Sequence, residues 1–366
     1  MNFKLFPSKD ATIYSKLPYL NSGLDEILEL SPQSNELITT GNNTTPRFAE
    51  TSRTLIQFPS ESIQSIIDNK VSGSVWRAYL KLYLAHASNI PADFAIQCYP
   101  VSLSWDMGTG RYSNVTQSVD GVSWYYNTLT TLWPTSSFAS GTTSSFSGSN
   151  GGGGTWYTAS VASQSFDYIS PKDIELDVTN IVNQWYSGSV VNNGFILKQA
   201  SEFLTSSFFD FKFFSMDTHT IYPPQLEFRW YDQTFVTGSL TIASSDKIVL
   251  TLADNKGKYQ EGSVQRFRIN VRDKYPARQF LTSSVYLTNK LLPSMSYWAL
   301  KDLHTEEVVI DFDTGSTTIS SDGTSSFFDF DTTGIQPERN YKFLIKTIIG
   351  SQTLIYDDNY LFKVIR

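Results

Sequence analysis

The chain of 366 residues holds one cysteine, Cys98, and three histidines. A single cysteine forms no intrachain disulfide and builds no cysteine-based metal cluster. Cys98 reads as a small buried residue of a strand. The histidines, His86, His219 and His304, are scattered singly, without the His-Glu-x-x-His spacing of a zinc site. Basic charge is also short, 28 Lys and Arg against 35 Asp and Glu for a net charge of -7. That balance is the wrong sign for holding a nucleic-acid backbone, so no nucleic-acid partner is expected. No apolar run approaches the roughly 20 residues of a membrane span, and no membrane partner is expected. The opening Met1 to Pro7 lacks the apolar segment of a signal peptide, so the expectation is folding in a cytoplasm. A Gly-x-Ser-x-Gly elbow is missing, and neither the cysteine nor any serine has an organised histidine beside it in the sequence. The chain therefore reads as a non-enzyme, with no catalytic, cofactor-binding or metal residue assigned. No heptad, Gly-X-Y tract or fixed-period repeat is present, which excludes a fibre shaft.

What is abundant is aromatic. With 25 Phe and 20 Tyr beside many Ser and Thr, the composition suits pleated, half-buried surfaces, and Ala-, Glu- and Lys-rich helical stretches are nearly absent. The fold class expected is all-β. Alternation supports it: in Trp76 to Leu84 the residues Ala78, Leu80, Leu82 and Leu84 share one face, and in Gln225 to Trp230 Leu226, Phe228 and Trp230 do. Pro223-Pro224 introduces the second run, since proline is excluded from a central strand. A polar stretch follows, and a new strand pair begins at Lys247 to Leu250 and continues at Arg266 to Arg272. The length suits two domains, and the boundary is placed near residue 235, giving 1–235 and 236–366.

Two short helices are expected, one from Ser60 to Asp68 and one from Thr179 to Trp185 with a threonine cap and an end at Gly188. Pro134 to Thr158, which contains Gly151 to Gly154, is read as a flexible loop. Around it lie Trp105, Trp124, Tyr125, Tyr126, Trp133, Trp156 and Tyr157. Exposed, such rings would stack on pyranose faces; core packing or a subunit interface is the weightier reading of the same residues. The carboxylate pairs Asp311/Asp313 and Asp329/Asp331 alternate with phenylalanines, as on a solvated strand face. Calcium held structurally by such acids is the competing reading, and a glycosidase pair a remote one. The run Gly334 to Phe343 resembles the E–F corner of immunoglobulin and fibronectin type III sandwiches, with Tyr341 as the corner tyrosine whose hydroxyl bonds back to the backbone. Tyr341, Phe343 and Ile345 would then face the core, and Asp358 to Arg366 would supply the last strand.

A wider resemblance rests on the order Asp10 to Ile13, Asn21-Ser22-Gly23, Arg53 to Phe58, Trp76 to Tyr83, Asp177-Val178-Thr179 with Val182 and Trp185, Gly194 to Leu197 and Pro224 to Phe228. It resembles the DNRLRE domain family over about residues 8 to 232, which implies a jelly-roll related to carbohydrate-binding modules. The chain departs from that family in its long loop around Gly151 and at Ser215-Met216-Asp217, where members more often carry Ser-Glu. The C-terminal segments Lys274 to Arg278, Ser296 to Trp298, Val309 to Asp313 and Gln336 to Arg339 resemble virion proteins of marine, T-even-like tailed phages. Together these resemblances imply a jelly-roll β-sandwich followed by an Ig-like β-sandwich, and the last of them implies a virion structural protein of the neck, tail or baseplate assembled in the host cytoplasm. Its partners would be copies of itself and other virion proteins. A module binding host surface glycan is the alternative.

Overall fold

A computed structural model describes residues 1–31, 33–40, 43–48, 51–88, 90, 93–114, 116, 118–134, 143–145, 152–200, 202–204, 209–253, 255–276 and 289–366. The protein is all-β, built from several sheets with two short helical stretches among the described residues. Contacts divide it into two compact units. One comprises residues 5–72 and 77–227; the other comprises 228–366 together with 1–4 and 73–76.

In the first unit, a five-stranded antiparallel sheet runs in the order Ala162–Asp167, Asp93–Pro100, Phe195–Gln199, Ser52–Gln57, Lys9–Tyr14. Cys98 sits in its second strand, fully buried, where desolvation pushes the thiol well above its ordinary range. A three-stranded sheet of Ile27–Leu30, Asp210–Phe214 and Leu84–Ser88 lies in the same unit. Phe94 stacks on Phe211 with ring centroids 4.8 Å apart, so aromatic contact joins the two sheets. The expected strand from Trp76 ends at Leu82, and a second strand starts at Leu84.

Both helices form. The first is α over Ser60–Ser65 and continues as a wider π turn over Ile66–Val71, burying Ile63, Ile66, Ile67 and Val71. The second covers Thr179–Tyr186 and ends at Gly188, whose φ of 73° is the left-handed conformation glycine tolerates. Thr179 is not its cap. The Thr179 hydroxyl accepts the Ala78 N–H at 2.9 Å and donates to Asp177 at 2.6 Å, so it joins the helix to the neighbouring strand. Trp185 packs against Phe195 with centroids 4.5 Å apart, which seats the helix on the five-stranded sheet.

In the Gln225–Trp230 strand, Gln225 and Glu227 are buried along with Leu226, where simple alternation would put them in water. Glu227 is compensated by Lys81 at 2.9 Å.

The second unit contains a seven-stranded sheet centred on Val264–Asp273 and a five-stranded sheet ordered Lys258–Gln260, Gln352–Ile365, Asn340–Ile349, Ser296–Asp302, Val308–Ile310. The strand pair expected after the boundary forms, Ile248–Ala253 lying antiparallel to Val264–Asp273. Phe267, Phe328 and Phe330 from the first sheet meet Trp298, Phe343 and Phe362 from the second, with Phe267 and Phe343 at 4.8 Å and Trp298 and Phe328 at 5.2 Å. Tyr341 is buried and its hydroxyl donates to the Gln336 carbonyl at 2.8 Å, the contact expected of it. Phe343 and Ile345 point into the same core, with Phe362 and Val364 from the last strand.

Candidate functional site

The four tryptophans of the aromatic cluster are buried, between 1% and 6% exposed, and they form core. Two have satisfied indole N–H groups: Trp105 donates to Asn193 at 2.8 Å and Trp133 to Ser123 at 3.1 Å. Tyr125, Tyr126 and Tyr157 are half-buried. Tyr125 and Tyr126 touch the exposed Tyr19, at 5.3 and 6.1 Å between centroids. The ring faces a sugar would need from the tryptophans are therefore turned inward.

What two of them face is a charge. Arg53, in Ser52–Gln57, is fully buried, and its guanidinium lies 5.0 Å from the Trp124 ring and 5.0 Å from the Trp156 ring. Its Nε and one terminal nitrogen donate to the two carboxylate oxygens of Glu202, both at 2.7 Å, and the other terminal nitrogen donates to the Gly153 carbonyl. Lys198 stands 3.2 Å from Glu202. Burial pushes the Glu202 carboxyl upward, but Arg53 and then Lys198 outweigh it, so it titrates below its ordinary range. This is a guanidinium stacked against two rings and closed by a carboxylate, and its geometry is structural.

The stack corrects the reading of the glycine run. Gly152 to Gly154 are buried, each with positive φ, and a Cβ on Gly153 would lie 2.7 Å from an Arg53 nitrogen and 2.9 Å from Trp124. These glycines let the backbone approach the guanidinium closely, which is an ordered role. Thr155–Tyr157 then pairs as a strand with Thr143–Ser145. The part of the loop expectation that falls on 135–142 and 146–151 lies outside the described residues.

The other acid and histidine candidates are spread out. Asp311 and Asp313 follow the Val308–Ile310 strand instead of lying in it. Asp313 accepts from the Ser316 hydroxyl at 2.7 Å and the Gly315 N–H at 3.1 Å, closing a turn. Asp329 faces outward as expected and takes Arg266 at 2.7 and 2.8 Å, whereas Asp331, at the strand end, is buried and accepts from Thr333. His86, His219 and His304 are exposed, and among the described residues no group of three or more His, Cys, Asp or Glu is placed to hold a metal ion.

A surface site does exist, at residues that sequence reasoning passed over. A cleft of about 170 Å3 in the first unit is lined by Tyr14, Lys16, Leu17, Glu29, Tyr112 and Lys212 among others. The Tyr14 and Tyr112 rings meet at 5.1 Å and 57°. Lys212 is held by Glu29 at 2.8 Å and Asp210 at 3.5 Å. The cleft thus offers the half-exposed Tyr112 ring beside one lysine held by two carboxylates, a mixture of apolar and polar groups suited to a small polyhydroxylated ligand. Tyr14 ends an alternating strand and Lys212 sits in another, but nothing in the sequence links positions so far apart.

A scan against models of protein families finds no match, and a search of curated proteins finds none either. What the cleft and the surface can do therefore follows from their chemistry.

Proposed function

We propose that this chain is a structural component of a tailed-bacteriophage virion, in the neck, tail or baseplate region, acting by protein–protein assembly. In this reading residues 1–235 form a jelly-roll sandwich and 236–366 an Ig-like sandwich, and the partners are copies of the chain and other virion proteins. The observation that carries it is the tip at Tyr168 and Ile169, which are 73% and 92% exposed. The tip is an ordered turn: Asp167 accepts from the Ile169 and Ser170 N–H groups at 3.0 and 2.5 Å, and Lys172 donates to the Asp167 and Tyr168 carbonyls at 2.8 and 3.2 Å. A turn fixed in advance loses little entropy on docking. Covering each large apolar side chain returns about 1.5–3 kcal/mol. The isolated chain gains nothing from holding two such side chains rigidly in water.

A second reading, a glycan-binding module on the virion surface, rests on the Tyr14–Tyr112 cleft. At about 170 Å3 it is small beside ligand pockets of about 300–1,000 Å3, so its ligand would be one terminal sugar unit. Mass spectrometry of purified particles separates the readings from error. The wild-type chain is expected at a fixed copy number, and a Tyr168→Ser/Ile169→Ser double variant, melting as the wild type does, is expected to drop out of particles. Absence of the wild-type chain from particles sinks the proposal. Retention of the variant beside loss of glycan-array binding by Tyr112→Ala would favour the second reading.

A further inference from the structure

The five-stranded sheet of the second unit has one face in the core, and its register decides what the other face carries. Trp298, Leu300, Phe343, Ile345, Phe362 and Val364 are buried in the core, so the residues that alternate with them point outward. One outward row across the three central strands reads Ile355, Lys346, Tyr297. Another reads Leu361, Lys342, Lys301, and Val308 continues it on the edge strand. Lys258 lies beside Lys363 at the opposite edge. Leu361, Val308 and Ile355 are 40%, 47% and 59% exposed. Lysines and exposed aliphatic side chains therefore alternate on one surface.

The charges on this face do not cancel. It holds five lysines, Lys258, Lys301, Lys342, Lys346 and Lys363. Three carboxylates meet them among the described residues: Glu306 at Lys301 and Lys342, Asp357 at Lys342, and Glu338 at Lys363. Lys346 instead lies over the Phe312 and Tyr297 rings, 4.5 and 5.2 Å from their centroids. Five cations against three anions leave the face at +2 in a chain of -7, so the remainder of the chain carries -9.

We propose that this face docks a second copy of the chain, which sets carboxylates of its acidic remainder among the lysines. Charge complementarity selects that occupant, since a copy brings -9 outside its own face to meet +2. It also selects the mode. A two-fold axis through the face would set these lysines against one another, so the contact joins the face to a different surface of the next copy. Such a head-to-tail contact builds rings or filaments instead of stopping at a dimer. Exposed ion pairs alone contribute little, and the aliphatic side chains supply the apolar area that makes the contact hold. The inference rests on the reading of the chain as an assembly protein, and it names the face by which copies meet.

Sedimentation velocity of the full chain over a range of concentrations at low salt tests it. The wild type is expected to associate beyond a dimer as concentration rises, and less so in about 1 M salt, where screening acts over about 3 Å. Ile355→Asp and Lys258→Glu alter exposed side chains, and thermal melts matching the wild type check that both still fold. Each is expected to weaken association about tenfold or more. A wild type that stays monomeric at every concentration overturns the proposal, as does association that either variant leaves unchanged. A dimer that grows no further and ignores salt overturns it too. So does a monomer that binds phosphatidylglycerol vesicles, because the lysines then face a membrane. If the wild type associates as expected but is missing from purified particles, the virion reading fails and the contact stands.

Discussion

The two units solve the same problem, filling a β core with large rings, in opposite ways. The second unit interleaves phenylalanines and Trp298 in its core and keeps most of its ion pairs outside it, with Arg266 on Asp329 at 2.7 Å, Arg268 on Asp322 at 2.8 Å and Lys290 on Asp273 at 2.7 Å. The first unit buries a guanidinium against Trp124 and Trp156 and closes it with Glu202. An apolar core tolerates exchange of one hydrophobe for another of similar volume. A buried charge does not, because every donor of Arg53 must find an acceptor and each acceptor must be held in place. The difference lies in how many residues are committed to a single arrangement: two tryptophans, Glu202, Lys198 and a glycine at positive φ in one unit, with no equivalent among the described residues of the other.

Breaking that arrangement gives the largest effect. Glu202→Leu leaves the Arg53 charge buried and uncompensated, and the first unit is expected to lose about 3–5 kcal/mol of stability. Denaturant unfolding followed by tryptophan fluorescence reads it, since Trp124 and Trp156 report on the stack. Adding Arg53→Met removes the orphan charge, and the double variant is expected to recover most of the loss. If the single change costs under about 1 kcal/mol, the ion pair is not what organises this core.

How much of this was legible depended on the range of the interaction. The all-β class, the bond from the Tyr341 hydroxyl back to the backbone and the burial of Tyr341, Phe343 and Ile345 follow from local alternation and a short motif, and the structure bears them out. The two helices were also readable, because Ile181, Val182 and Trp185 lie on one stripe. The role of Gly152 to Gly154 was not, since a glycine run reads as flexibility unless the group it makes room for is known. Arg53 stands 149 positions from Glu202, and only the folded sheet brings them together. The one local signal was a charged side chain amid Thr54, Leu55 and Ile56, and a strand pattern alone does not say which face such a residue takes. The cleft was hidden for the same reason. The Ala78 N–H took the Thr179 hydroxyl oxygen as its acceptor in place of a helix N–H, a competition that residue preferences at helix starts do not weigh.

An intermediate case sharpens the comparison within the second unit. Asp302 is 4% exposed and takes Arg339 at 2.6 Å along with the His304 and Thr305 N–H groups at 2.8 and 3.1 Å. Burial opposes its ionisation, yet the Arg339 bond and the two N–H groups outweigh it and hold the carboxyl down at about 2. The folded value lies below the unfolded one near 3.8, so the stabilisation is present above that pH and is lost as pH falls toward 2. Its size is about 2 kcal/mol at neutral pH. Asp302→Asn is therefore expected to be less stable than the wild type at pH 7 and to converge with it near pH 2 in thermal melts. A stability gap that stays constant over that window would show that Asp302 acts through its shape alone.

The smallest effect belongs to the surface pair. Arg266 makes the same bidentate contact with Asp329 that Arg53 makes with Glu202, and its guanidinium lies 4.1 Å from the Phe327 ring. Contact geometry alone would rate the two pairs equal, but Arg266 is 47% exposed and Arg53 is fully buried. Water competes for the first and not for the second, so Arg266→Ala is expected to cost only about 0.2–1 kcal/mol. The charge part of that cost fades in 1 M salt, where screening acts over about 3 Å, leaving the contact with Phe327. The loss in Glu202→Leu, being buried, is expected to change little in the same salt series. Parallel denaturant curves for the two variants at low and high salt measure this directly. Equal salt sensitivity in both would mean that water reaches the Arg53 stack and that the first unit's core is not the dry box its tryptophans describe.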